Sequence, residues 1–396
     1  MAILGAIIGA GFASGREIAS FFGNYGIWVI PFIFVASILF FFCFYLFAKL
    51  GKDLKPKSIS DITSSLFGKA GVFVDFAFVL STFITLASML AGSDSIGSIM
   101  FGAGYNFCYI SIFTAVVVAV IVSVGLKYIY KITDIILPVM LVVLTIILII
   151  FFAKTPAQTI SSENAQFNGF SVIIYTLLYV AMNTFYNIFI ISRTSQLMNK
   201  KQLKWASGIS AGILLFLLIS ILLAIFHGGD AVLKSDMPLL AIANVLGGEF
   251  GIIYSIVLYF AIFTTICLNA YAIVEWLNRF IKNKFVCSVV VLTLGFIFSR
   301  FGFSTIVDIF YPIEGIFGLF FIIYTTIYFL KKQHQKKLVI SDQNAIVKPD
   351  KIELKNITTT NNQSSEEIVS LKVEKFDNNI TVTKKYKNGK IVKTKK

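Results

Sequence analysis

Apolar residues run along this chain in long blocks separated by short polar loops. Reading each block of at least ~18 residues as a membrane-spanning helix predicts ten spans. They lie at 1–24, 27–48, about 70–92, 107–125, 132–153, 169–192, 205–226, 250–274, 285–300 and 303–330. The ninth is the shortest. Beyond residue 330 the apolar blocks stop and Lys, Asn, Thr and Ser take over. The pattern therefore divides the chain into a ten-helix domain over 1–330 and a basic tail over 331–396. The tail carries Asn388-Gly389, the signal of a two-residue hairpin turn. A lone hairpin is marginal in water, so a largely disordered tail with a transient hairpin is expected.

Composition supports the membrane reading. Only 14% of the residues are charged, against about 25% in a soluble domain. Cys43, Cys108, Cys267 and Cys287 all fall in apolar runs with no CxxC spacing, so they read as small core hydrophobes. The N-terminus has no basic n-region and no small-residue cleavage site beyond its apolar run, which argues against a signal peptide.

Charge orients the spans. Alternate loops hold fourteen Lys and Arg, among them Lys52, Lys127, Arg193 and Arg279, while the opposite loops hold three, Lys154, Lys234 and Arg300. The positive-inside rule then places both termini in the cytoplasm, in what the family resemblance below implies is a bacterial cell membrane. The tail contributes +9 of the net +14, which points to the anionic lipid of the inner leaflet before it points to nucleic acid.

Five spans are an odd number, so a second set of five must enter the membrane the other way up. Spans one and six, five apart, both carry polar residues at mid-depth. That is the inverted-repeat plan of secondary transporters, whose sites form where discontinuous helices of the two halves meet.

Span one carries the densest chemistry. Gly5, Gly9, Gly11 and Gly15 interrupt it, and Arg16-Glu17 stands where a plain anchor would carry Leu. A charge near the bilayer centre costs at least ~2.5–3.5 kcal/mol, so such a pair is a functional-site candidate. If the helix opens near Gly9–Gly11, the half-helix from Phe12 onward presents free N–H groups to a carboxylate, and the carbonyls of Gly5 to Ile8 suit a cation. The backbone of Gly9, Ala10 and Gly11 with Ser14 would line a solute cavity. Glycine content alone also fits close helix packing of the small-xxx-small kind.

Three other stretches add candidates. Span six holds Tyr179, Asn183, Thr184 and Asn187, with the two Asn on one face; they line a cavity or tie helices together. No Gly or Pro marks a break there. Span eight holds the adjacent hydroxyls Thr264 and Thr265, which face one ion or bond back to their own helix. Span ten holds Asp308 and Glu314 around Pro312. An Arg16–Asp308 pair closing the outer entrance is geometrically allowed, with Glu17 a rival partner for Arg16. Enzyme signatures are missing: the two His, His227 and His334, lie in an outer loop and in the tail, and no GxxxxGK[ST] occurs, so neither a catalytic centre nor ATP-driven work is indicated.

Gly9-Ala-Gly-Phe-Ala-Ser-Gly-Arg-Glu17 resembles the GAGFASGxE signature of YkvI-like bacterial membrane proteins, in the amino acid–polyamine–organocation superfamily with its LeuT-type fold of five-plus-five inverted repeats. The resemblance covers residues 1–330. It implies discontinuous helices one and six and no enzymatic cofactor. It also implies a sodium site of carbonyls three apart before the first break, then a helix-eight carbonyl followed at +3 and +4 by hydroxyls. Gly5 and Ile8 match the first spacing, and Ala261, Thr264 and Thr265 the second. Two features depart from the family: span six lacks its expected Gly or Pro, and only eight residues precede Gly9. Either the chain begins upstream of Met1 or the inner half of helix one is shortened.

The expectation is a secondary active transporter. It would couple a cation, sodium in preference to a proton, to a small organic solute such as an amino acid by alternating access. The alternative is a solute-sensing receptor that keeps the fold without transporting.

Overall fold

A computed structural model describes residues 8–56, 58–102, 108–124, 127–156, 168–185, 187–196, 198–346, 353–354, 368–376, 379–386 and 391–395. It divides into two compact units, Met1–Thr325 and Thr326–Lys396.

The first unit is all helical. Its helices are α1 (Ala10–Ser14), α2 (Arg16–Phe22), α3 (Ile30–Leu54), α4 (Ile59–Phe67), α5 (Gly71–Phe101), α6 (Tyr109–Val124), α7 (Lys127–Lys154), α8 (Gly169–Phe185) and α9 (Ile188–Ser195). Then follow α10 (Lys200–His227), α11 (Gly229–Leu233), α12 (Pro238–Leu246), α13 (Gly248–Leu277), α14 (Lys284–Ser299), α15 (Phe303–Thr305) and α16 (Tyr311–Ile346), the last of which runs past Thr325 into the second unit. Each of the ten apolar blocks has become a helix or a pair of helices. Among the described residues five helical stretches are long and apolar enough to cross a membrane, and the bent pair α8–α9 makes a sixth; Tyr109–Ser123, Pro138–Lys154 and Lys284–Ser299 are shorter apolar helices. Apolar side chains such as Phe73, Ile38, Phe113 and Ile149 face outward, as a lipid-facing surface requires.

The broken spans follow from local chemistry. Gly9 is extended and caps α1, and Gly15, at φ 79°, ends α1 and begins α2. That left-handed conformation costs a residue with a Cβ roughly 1–2 kcal/mol, which is why glycine stands at this second interruption. In span six α8 and α9 are bent by 57° across residues 186 and 187. Side-chain amides serve the break where Gly or Pro is missing: Asn183 Nδ2 donates to the Tyr179 carbonyl at 3.0 Å and Asn187 Nδ2 to the Asn183 carbonyl at 2.8 Å. The Asn187 bond, which spans the bend, replaces part of what a broken intramembrane helix loses, and the Asn183 bond lies within α8. In span ten a π turn over Ile306–Phe310 carries Asp308 ahead of α16.

Three features extend the sequence reading. α5 continues past residue 92 to Phe101, because Asp94 is held by the Ser111 N–H at 2.8 Å and the Ser111 hydroxyl at 2.6 Å. α4 begins with a capping box in which Ser58 and Asp61 bond each other's backbone, and α11 and α12 fill what reads as an outer loop.

In the second unit, residues 353–395 hold a four-stranded antiparallel sheet in the order β1 (Glu353–Leu354), β2 (Ile368–Phe376), β3 (Asn379–Tyr386), β4 (Ile391–Lys395). This differs from the expected disorder. Lys385 pairs with Ile391, which leaves Asn388-Gly389 between β3 and β4, but β2 also pairs with β3, with Val373 opposite Val382. The sequence reading weighed one hairpin; three paired strands are what an independent sheet needs.

α8 and α16 approach closely at Gly318, where an added Cβ would overlap the carbonyl oxygen of Ala181. Overpacking against backbone costs typically 1–3 kcal/mol. Gly318→Ala is therefore expected to lower the thermal midpoint of the purified protein by several degrees. Gly212→Ala, in the interior of α10 and meeting nothing within 4 Å, should not lower it and should raise it slightly through helix propensity.

Candidate functional site

The breaks at Gly9 and near Asn187 open on one cavity of about 730 Å³. α1 supplies Gly9, Ala10 and Gly11, preceded by Ile8; α2 supplies Glu17; α5 supplies Thr82 and Thr85; α13 supplies Ala261, Thr264, Thr265 and Asn269. Ser58, Ile59, Asn278 and Arg279 line its other end. Arg279 is exposed, so the mouth lies at that end.

The opposite end is shut by polar contacts. The Arg16 guanidinium pairs with Asp308 and donates from Nη1 to the Ser235 carbonyl at 3.2 Å. Arg300 pairs with Asp94. Asp236 accepts from Ser304, and from Ser95 at 3.3 Å. These contacts join α2, α5 and α15 to the segment before α12, α2 to the turn Ile306–Phe310, and α5 to the end of α14. The Arg16 alternatives resolve toward Asp308: Glu17 lies instead against α1, where a Cβ on Gly11 would overlap its carboxylate. Gly11 is needed for that contact, inside a helical turn and not at a break.

The candidate sodium ligands fall into two groups. Gly5 lies outside the described residues. Ile8, Ala261, Thr264 and Thr265 share the cavity wall. Both hydroxyls donate to the Ala261 carbonyl, Thr264 at 3.0 Å and Thr265 at 2.8 Å, so the back-bonded arrangement is the one present. Their oxygen lone pairs remain available, and a set made only of carbonyl and hydroxyl oxygens fits a monovalent cation of the kind bound beside unwound transporter helices.

The candidate solute residues divide similarly. Gly9, Ala10 and Gly11 line the cavity. Ser14, Tyr179, Asn183 and Thr184 do not, and all four are buried. The Ser14 hydroxyl donates to the Gly11 carbonyl at 2.6 Å, and Thr184 to the Val180 carbonyl at 2.7 Å. Tyr179 packs in an aromatic cluster, with ring centroids 5.3 Å from Phe21, 5.0 Å from Phe22 and 6.0 Å from Phe40. In this state these four brace the broken helices.

Sequence reasoning passed over Thr82, Thr85 and Arg279. The repeat Thr82-x-x-Thr85-x-x-Ser88 places three hydroxyls on one helical face, which is the signal that could have found the first two.

No family model matches the chain. It is 22% identical to the membrane protein YkvI of Bacillus subtilis (strain 168) over 327 residues, 81% of this chain and 92% of YkvI. It is 25% identical to YyaD of the same strain over 334 residues, 82% of this chain and 94% of YyaD. Among solved structures it is similar to MhsT, crystallised in complex with L-phenylalanine, with a TM-score of 0.58 at 15% identity, covering 80% of this chain and 86% of MhsT. The chain is a membrane protein of LeuT-type fold. Among the described residues its helices are consistent with the five-plus-five plan of that fold, with the first and sixth apolar blocks each divided into two helices.

The shut end rests on a few charged contacts, so it should loosen when one is removed. With spin labels at Phe101→Cys and Lys234→Cys, both exposed, Arg16→Ala is expected to add a longer component to the distance distribution. Lys284→Ala, which breaks the Lys284–Glu275 pair at the other end, should leave that distribution unaltered.

Proposed function

We propose that the protein is a secondary active transporter of the cytoplasmic membrane that couples sodium to the movement of a small organic solute. The observation that carries this reading is the cavity itself. It meets a broken helix at Gly9, contains Ile8, Ala261, Thr264 and Thr265 in one wall, opens toward Arg279 and is shut beyond Glu17 by Arg16–Asp308. A binding chamber open at one end and latched at the other is one half of an alternating-access cycle. The charge pattern of the loops supports assigning the Arg279 end to the cytoplasm, with both termini there and the basic tail near anionic lipid. On that orientation the structure is an inward-open state.

In this reading Ala261, Thr264 and Thr265 hold the ion against carbonyls of the segment 5–8, so ion binding ties α13 to helix one and closes the mouth. The N–H groups around Gly9–Gly11 take the solute. A zwitterionic amino acid suits donors beside a cation, and L-phenylalanine in the similarly folded MhsT is in keeping with that class.

The test is a thermal-shift titration of the purified protein. Sodium chloride should raise the midpoint relative to choline chloride, and the gain should vanish in the double variant Thr264→Ala with Thr265→Ala. An amino-acid panel in sodium should then yield a solute whose stabilisation depends on sodium. Equal stabilisation by both salts, or a sodium effect that survives in the double variant, would overturn the ion assignment. A solute that stabilises without any sodium dependence would favour a sensing receptor.

A further inference from the structure

Two acidic side chains take no part in the assignments above. Glu17, in the first turn of α2, is 4% exposed, and Glu314, in the first turn of α16, is 1% exposed. One Glu17 oxygen, Oε2, and both Glu314 oxygens have no hydrogen-bond partner. The two carboxyls lie within electrostatic range of each other and of the Tyr311 hydroxyl.

The surroundings offer no counter-charge. Arg16, adjacent in sequence, turns away to Asp308 and Ser235. The titratable groups facing the pair are Tyr179 from α8 and Tyr311 from α16. α1 presents the backbone of Gly11, and α5 presents Thr85 and Ser88 beside Tyr311. Among the described residues neither carboxyl has a cationic partner. A carboxylate buried without a counter-charge or a hydrogen bond is strongly disfavoured, and it takes up a proton or a cation.

The geometry decides between those ligands. Glu17 is in the cavity wall and Glu314 is not, so an organic cation entering from the mouth reaches only the first. No group of three or more His, Cys, Asp or Glu among the described residues could hold a metal ion. A proton needs no such space. We infer that Glu17 and Glu314 form a proton-binding pair, with Glu17 as the point of exchange with water in the cavity. Binding adds one proton to a carboxylate oxygen, giving a neutral acid, and release returns it to cavity water. Because Glu17 rests against Gly11, its charge acts directly on the broken segment of helix one. The pair is separate from Ala261, Thr264 and Thr265, and it requires neither sodium nor a solute to be bound.

Infrared spectroscopy of the full chain in lipid, without sodium or solute, tests this independently of the transport reading. At pH 7, where exposed carboxyls with pKa near 4 are ionised, the wild type is expected to show a protonated-carboxyl stretching band that shifts when D2O replaces water. Glu17→Gln and Glu314→Gln should each remove a substantial part of it. Glu275→Gln, which alters a half-buried carboxylate already paired with Lys284, should leave it intact. Absence of the band in the wild type at pH 7 would overturn the proposal without reference to any variant. So would a band unchanged in both Gln variants.

Discussion

Inside a bilayer every backbone N–H and C=O must find a partner in the protein, because no water is there to supply one. A helix can be interrupted at membrane depth only where side chains, neighbouring helices or a water-filled cavity take over the freed groups. The interruptions at Gly9, Gly15 and Asn187 meet that demand in different ways. Gly9 opens onto the cavity. At Gly15 the break is shared: the Gly15 N–H bonds the Phe12 carbonyl at 3.1 Å, and the Tyr254 hydroxyl reaches the Ala13 carbonyl from α13. Near Asn187 two Asn amides cover carbonyls of their own helix. The cavity is thus a consequence of the breaks as much as a container for a ligand.

That constraint also organises the polar residues. An aromatic cluster around Tyr179 pins α2 and α3 against α8, which keeps the two broken spans in register. Polar contacts then gather at the two ends of the domain. One end is drawn together by Arg16–Asp308, Arg300–Asp94 and the hydroxyls on Asp236. At the other, Asp75 accepts from Ser60 at 2.7 Å and from Thr63 at 2.6 Å, and Arg279 donates to Ser60 at 3.1 Å. These contacts tie α4, α5 and the end of α13 beside the mouth without covering it. Arg16 and Asp94 are each largely buried while their partners reach solvent, so these pairs lie at the boundary between the packed domain and water. In the proposed cycle these contacts would act as the latch, in contrast to the apolar packing that holds the helices themselves.

Much of this was legible in the sequence, for identifiable reasons. Apolar block length determines which segments can cross a bilayer, so the ten apolar blocks could be located. Each described block is helical, five or six of them being long and apolar enough to span among the described residues. Charges are rare in such blocks, so Arg16 and Asp308 stood out and could be paired. Breaks made by glycine announced themselves; the break near Asn187 did not, because amides that mend a helix look the same as amides that line a cavity. The same ambiguity placed Ser14, Tyr179, Asn183 and Thr184 in the cavity wall when they lie behind it. α4, α11 and α12 were missed because they are too short to register as spans, and the tail sheet because strand pairing is a property of three segments read together.

The proposed transport cycle requires the cavity to bind a solute and a cation together and to carry them across the membrane. Solid-supported membrane electrophysiology on proteoliposomes tests it most directly, by recording the current that follows a jump in solute concentration. With sodium on both sides, an amino acid bound by the cavity should evoke a transient current that disappears when choline replaces sodium. A solute that binds the protein yet evokes no current under either condition would contradict the claim and leave a receptor in its place.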